Sequence, residues 1–146
     1  IMAVNLDGVF LGTQAAVAEM RGRGGSIINM SSIRAMVSNP STVVYDASKA
    51  AVAALTRSAA LHCARQGYAI RINSVHPGYI LTDMVQNVFN KQSDPDAVRD
   101  QVMAAQPIGR MGRPMEIADA VLFLASDESS FMIGSQLVVD GGYTAQ

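Results

Sequence analysis

Tryptophan is absent, cysteine occurs once, and aromatic residues make up only 5% of the chain. With Cys63 alone, no disulfide can close within the sequence, which fits a reducing compartment. Neither sign of charge dominates: eleven Lys and Arg stand against twelve Asp and Glu, a formal net charge of -1. That balance removes the electrostatic ground for binding nucleic acid or an anionic membrane. No apolar run approaches the ~20 residues that span a bilayer. The opening residues also lack the charged-then-apolar pattern of a secretion leader. His, Cys and carboxylates never fall at ligand spacing, so no metal site is expected. Nearly half the residues are hydrophobic and only 16% are charged, which excludes disorder. The expectation is a soluble, cytoplasmic globular protein.

What is there alternates between two kinds of segment. Ile1 to Met20 carries apolar residues among small ones, with no proline, and reads as a helix ending near Gly22, Gly24 and Gly25. Ser26 to Met30 is a short apolar run, read as a buried strand, followed by a Ser-, Asn- and Pro-containing loop from Ser32 to Thr42. Val43 to about Gln66 is Ala-rich and stopped by Gly67, a long helix. Ile70 to Val75 is a second strand, ended by Pro77 and Gly78. A long connection from Tyr79 to Pro107 contains one expected helix starting at Asp94-Pro95. Pro114 opens a last helix, and Gln136 to Val139 is a last strand closed by Asp140-Gly141-Gly142. Strands without polar alternation, separated by helices, argue for an α/β fold with a parallel sheet covered on both faces.

One pair on the long helix carries chemistry. Tyr45 and Lys49 are four residues apart, so their side chains leave the same face. A phenol titrates near ~10, leaving little phenolate at neutral pH. An ammonium ~5 Å away at an effective dielectric of ~20 stabilises the phenolate by roughly 3 kcal/mol, about two pK units. Such a phenol can exchange a proton with an alcohol; the bland alternative is an ordinary surface pair. Ser32 lies just beyond the carboxyl end of the first strand, where open α/β sheets bind ligands. Its hydroxyl can donate to a substrate oxygen held against the tyrosine. Strand-end register alone does not separate Ser32 from Ser31. His62 and His76 read as packing residues. Asp46, about 100° round the helix from Tyr45, is expected to face solvent.

Ser-Ser-Ile-Arg followed by Tyr-Asp-Ala-Ser-Lys resembles the Ser…Tyr-x-x-x-Lys pattern of the short-chain dehydrogenase/reductase family. The family's spacing selects Ser32 over Ser31. Asn5, in Val-Asn-Leu-Asp-Gly-Val-Phe, is similar to the asparagine that completes the family's tetrad, where it holds a water linking the lysine to a proton relay. Asn-Ser-Val-His-Pro-Gly-Tyr-Ile-Leu-Thr-Asp resembles the segment beneath the nicotinamide. The final Gly-Arg-Met-Gly-Arg-Pro, Phe-Leu-Ala-Ser-Asp and Asp-Gly-Gly-Tyr blocks are similar to the family's last helix and strand. The resemblance implies reversible hydride transfer between NAD (or NADP) and a secondary alcohol. In it Tyr45 exchanges the proton, Lys49 lowers its pKa and binds the nicotinamide ribose, and Ser32 holds the substrate oxygen. Asn5 supports the relay. Pro77, Gly78, Ile80 and Thr82 then bound the nicotinamide, the last two through the Ile80 backbone and the Thr82 hydroxyl. It also implies a homotetramer or homodimer and, for Met84, Val88, Phe89 and Met103, an apolar lid.

Only three strands are visible, and a doubly wound dinucleotide fold has about six. The family's opening Thr-Gly-x-x-x-Gly-x-Gly turn has no counterpart, since Gly22, Gly24 and Gly25 precede a strand instead of following one. The chain therefore reads as residues 1–146 of the carboxyl-terminal part of a Rossmann-like domain, with ~100 residues expected upstream. The subgroup flavour is that of hydroxysteroid or cyclic-alcohol dehydrogenases. Two rivals share the residues: a 3-oxoacyl-carrier-protein reductase using NADPH, and an inactive fragment serving as an oligomerisation module.

Overall fold

The structure is a computed structural model that describes all 146 residues, Ile1–Gln146. A five-residue π-turn, Ala3–Asp7, leads into helix α1, Gly8–Met20. The chain reverses at Gly24, whose φ of 78° suits glycine and where a Cβ would fall 2.6 Å from the Ala69 carbonyl oxygen. Strand β1, Gly25–Met30, is followed by helix α2, Val43–Arg65, and strand β2, Ile70–Pro77. Two short helices, α3 (Asp83–Phe89) and α4 (Pro95–Ala104), precede helix α5, Pro114–Ala125, and strand β3, Gln136–Val139. The strands form one parallel sheet in the order β1-β2-β3. The expected α/β fold and its parallel sheet are therefore present.

Period-two alternation along the strands assigns the helices to opposite faces. Ile27 and Ile72, paired across the sheet, pack with Val17 and Met20 of α1 and Ala60 and Cys63 of α2. Their neighbours Ser26 and Arg71 point the other way and donate to the carbonyl of Leu124 in α5. The central strand is sealed: Ile72, Asn73, Ser74, Val75 and His76 have no exposed surface. The α1–β1–α2 side also contains a polar seam. Asn29 donates to Thr56 Oγ1 at 3.0 Å and accepts from Thr13 Oγ1 at 3.3 Å, while Thr56 donates to the Val52 carbonyl. Each buried donor and acceptor in it is satisfied, and that fixes the position of α2 on the sheet.

Three details differ from the sequence expectation. The first helix opens as a π-turn, its extra residue carried between the Gly8 N–H and the Ala3 carbonyl. Strand β2 runs on to Pro77 because Pro77 pairs with Val139 and Gly78 N–H reaches the Val139 carbonyl. The long connection holds a helix, α3, begun by the Thr82 hydroxyl accepting from Val85 N–H. The expected α4 starts at Pro95, capped by Asp94. At the head of α5, Glu116 accepts from Arg113 N–H and from Arg110 at 2.7 Å each. The Arg110 bond first, then the Arg113 N–H, holds that carboxyl down to about 2.

Candidate active site

Helix α2 starts beneath the carboxyl end of β1, which sets Tyr45 and Lys49 beside Ser31 and Ser32. Lys49 Nζ donates to the Met30 carbonyl at 3.0 Å and lies 5.7 Å from the centroid of the Tyr45 ring. Burial pushes the Lys49 ammonium below its ordinary value. Ser31 Oγ donates to the Lys49 carbonyl at 2.9 Å, so its proton is committed to the helix. Ser32 Oγ accepts from Arg34 N–H at 3.1 Å, which leaves its proton free for a ligand. Both serines line the cleft, and they divide by hydrogen-bonding role, Ser31 fastening α2 to β1 and Ser32 keeping its proton.

Ser32 and Tyr45 line the same cleft, of about 430 Å³, with Pro77, Gly78, Ile80 and Thr82. Pro114 and Ile117 of α5 close one side, and Met84 and Val85 of α3 another. Gly78 runs so close to the last strand that a Cβ there would lie 2.8 Å from Asp140 Cα, so the cleft floor stays flat. The Gly112 N–H reaches the Tyr79 carbonyl and Leu81 N–H reaches the Gly112 carbonyl. That parallel bridge turns the N–H and C=O of Ile80 itself away from Gly112. A flat floor with an amide edge and a hydroxyl beside it suits a planar ring carrying a carboxamide. The residues present fit a nicotinamide.

Asn5 is not at the cleft. Its amide donates to Ser48 Oγ at 3.1 Å, and Ser48 in turn donates to the Tyr45 carbonyl. Asn5 therefore reaches the turn of α2 between Tyr45 and Lys49 without touching Lys49. Asp46 does not face solvent: it is buried, accepting from Asn39 N–H at 2.8 Å and Thr42 Oγ1 at 2.7 Å. The first turn of a helix favours a carboxylate, and the loop after Ser32 folds over α2 to meet it. Of the lid residues, Met84 lines the cleft and is exposed, whereas Phe89 is only 2% exposed and packs inward. Val88 is exposed and does not line the cleft; Met103 is half-buried. His62 lies at the surface, its ring edge-on to Tyr68.

His76 is a packing residue with a further duty that its sequence neighbourhood does not reveal. Wholly buried in β2, it donates through Nδ1 to the Ser32 carbonyl at 3.0 Å, and its Nε2 meets Ser74 Oγ at 2.8 Å. Because a carbonyl can only accept, Nδ1 carries the proton. Burial pushes His76 below its ordinary value against the opposing pull of the Ser32 carbonyl, and Arg57 and Lys49 add to the lowering. The linkage sign follows. Below pH ~6.5 the unfolded chain binds a proton that folded His76 refuses, so stability falls as pH drops from there toward the folded pKa. The slope is at most about 1.4 kcal/mol per pH unit. Urea midpoints at about pH 7.5 and about pH 5.5 should therefore diverge more for the wild type than for His76→Gln. Equal divergence would place the acid sensitivity elsewhere.

Residues 1–144 match the family described as enoyl-(acyl carrier protein) reductase. The chain is 46% identical to the NADP-dependent (R)-specific alcohol dehydrogenase of Lentilactobacillus kefiri, over all of this chain and 57% of that protein. It is 48% identical to the 3-beta-hydroxysteroid dehydrogenase of Comamonas testosteroni, over 96% of this chain and 55% of that protein. The crystal structure of levodione reductase superimposes with a TM-score of 0.93 at 34% identity, covering 99% of this chain and 57% of that one. The chain thus spans little more than half the length of the relatives it matches. With its parallel sheet and its Ser32, Tyr45 and Lys49 gathered at one sheet edge, it belongs to the short-chain dehydrogenase/reductase family.

Proposed function

We propose that the chain carries the catalytic half of an NAD(P)-dependent oxidoreductase that interconverts a secondary alcohol and a ketone. Cyclic alcohols or hydroxysteroids are the favoured substrates. One observation carries the reading: Ser32 and Tyr45 line one cleft while the Lys49 charge stands 5.7 Å from the centroid of the Tyr45 ring. The names of the Lentilactobacillus and Comamonas relatives support alcohols and hydroxysteroids as substrates, and the first supports NADP. The same reading makes residues 1–146 the carboxyl-terminal part of a Rossmann-like domain whose dinucleotide-binding half is further chain.

In this mechanism Tyr45 Oη gives a proton to the ketone oxygen, or takes it from the alcohol. Ser32 Oγ donates to the same oxygen and holds it against the phenol. Lys49 stabilises negative charge on the Tyr45 oxygen as it forms, its ammonium steadied by the Met30 carbonyl. Nicotinamide bound on the Pro77–Gly78 floor would supply or accept the hydride, with its ribose near Tyr45 and Lys49. The Ile80 backbone and the Thr82 hydroxyl would hold its carboxamide and so choose the face. Asn5 acts through Ser48 on the helical turn that carries both catalytic side chains. A cytoplasmic location accords with the single thiol, buried in α2; no helix is long and apolar enough to cross a membrane. Assembly as a homotetramer accords with exposed Phe10, Leu11 and Leu61 on α1 and α2.

The test is turnover of the full-length protein with NADH and NADPH on cyclohexanone, a 3-oxosteroid and a 3-oxoacyl thioester. Reduction of the first two, with Ser32→Ala lowering kcat about 10²-fold, is the expected result. Preference for the thioester with NADPH would replace the substrate assignment by the acyl reductase. No reduction of any ketone would leave the oligomerisation module.

A further inference from the structure

Beside the cleft lies a recess of about 130 Å³ that shares Ser32, Tyr45, Gly78 and Val85 with it. Its remaining walls are Ile33, Arg34 and Tyr79. Arg34 is the one charged side chain lining either space. It sits two residues after Ser32, in the short 3-10 turn Ile33–Ala35. One guanidinium N–H donates to Tyr79 Oη at 2.7 Å, and the guanidinium carbon lies 5.9 Å from the centroid of the Tyr79 ring. Tyr79 is braced in turn, edge to face, by Tyr143 at 5.7 Å. The side chain is half-buried and forms none of the chain's ion pairs, which are Arg99–Asp96, Arg110–Glu116 and Arg113–Glu116. Asp46 lines a second cavity together with Arg34 but forms no ion pair with it, its two oxygens accepting from Asn39 N–H and Thr42 Oγ1.

A half-buried cation held in one pose is met here by the Tyr79 hydroxyl and ring but by no anion. Its fork still has four unengaged N–H donors, the geometry that binds a carboxylate in two places. We propose that Arg34 receives a carboxylate on the substrate: a keto or hydroxy acid whose acid group lies several bonds from the carbinol carbon. The reacting oxygen sits between Ser32 and Tyr45, the apolar skeleton lies against Ile33 and Val85, and the acid reaches the guanidinium. This rests on the oxidoreductase reading for its chemistry but not for its binding.

The test pairs 4-oxocyclohexanecarboxylate with its methyl ester. The wild type should favour the acid in kcat/KM by about tenfold to a hundredfold, through KM, as a charge-assisted bidentate pair would give. Arg34→Met should erase that preference, lowering kcat/KM for the acid at least about tenfold more than for the ester. Equal values for acid and ester in the wild type, or an equal loss on both in the variant, overturn the assignment. A calorimetric titration with cyclohexanecarboxylate, which cannot react, separates the two readings. Weaker binding to Arg34→Met by about tenfold or more supports the carboxylate site even where no ketone is reduced. Binding unaffected by Arg34→Met overturns it even where ketones turn over.

Discussion

Tyr45→Phe should lower kcat/KM of the full-length protein by about 10³-fold, with cofactor affinity changed less than about threefold. The substitution removes one oxygen and leaves the ring, so the packing of α2 against β1 is undisturbed. The bonds that fasten this part of α2 run through other groups: Ser31 Oγ to the Lys49 carbonyl, and Lys49 Nζ to the Met30 carbonyl. What goes is the phenol that lines the cleft with Ser32 and that the proposed reaction uses to exchange the proton. General acid–base groups contribute about 10²- to 10⁴-fold, so the loss should dwarf any effect of altered binding. Steady-state turnover and a fluorescence titration with NADPH, run on the same preparation, read the two quantities apart. Turnover within about tenfold of the wild type would remove the phenol from the reaction.

That side chain was legible in the sequence because its partner lies on the same helix, and i, i+4 geometry is local. The boundaries of α2 and β3 were legible for similar reasons, an Ala-rich run stopped before Gly67 and a short apolar run closed by Asp140-Gly141-Gly142. Contacts between distant segments left no trace in any local pattern. His76 meets the carbonyl of Ser32 across forty-four positions, and Asn29 meets Thr56 across twenty-seven. The burial of Asp46 is not legible because helical phase describes the helix alone, whereas the loop that holds Asn39 and Thr42 folds over that face. Helix α3 leaves little local signal because its seven residues depend on the Thr82 hydroxyl for their first turn. Ser32 was separable from Ser31 only by family spacing. The physical reason lies in where Ser31 spends its proton.

The largest stability effect should come from a residue remote from the chemistry, Arg71. Its guanidinium donates to the carbonyls of Leu124, Ser126 and Ser129 and to Ser129 Oγ, at 2.7 to 3.1 Å. These acceptors gather at the carboxyl end of α5, where a helix presents unpaired carbonyls and partial negative charge. Leu124 and Ser129 are buried, and each carbonyl keeps at least one other donor, the Ser26 or Ser129 hydroxyl or the Met132 N–H, so what is lost is the charged bonds themselves. Arg71→Leu keeps the apolar stem and removes the fork. The cost should be roughly 3 kcal/mol, since several charge-assisted bonds go at once and bonds from a charged donor contribute more than neutral ones. For a domain of this size that is roughly 6 to 12 °C in Tm. Arg71→Lys should recover only part, because an ammonium cannot span three carbonyls. The same bonds join the start of β2 to the end of α5, and the opposite ends of those two elements supply Pro77 and Pro114 to the cleft. Turnover well below the shifted Tm should accordingly stay close to that of the wild type while activity at higher temperature disappears early. An unchanged Tm for Arg71→Leu would mean that α5 is held to the sheet by its apolar face alone.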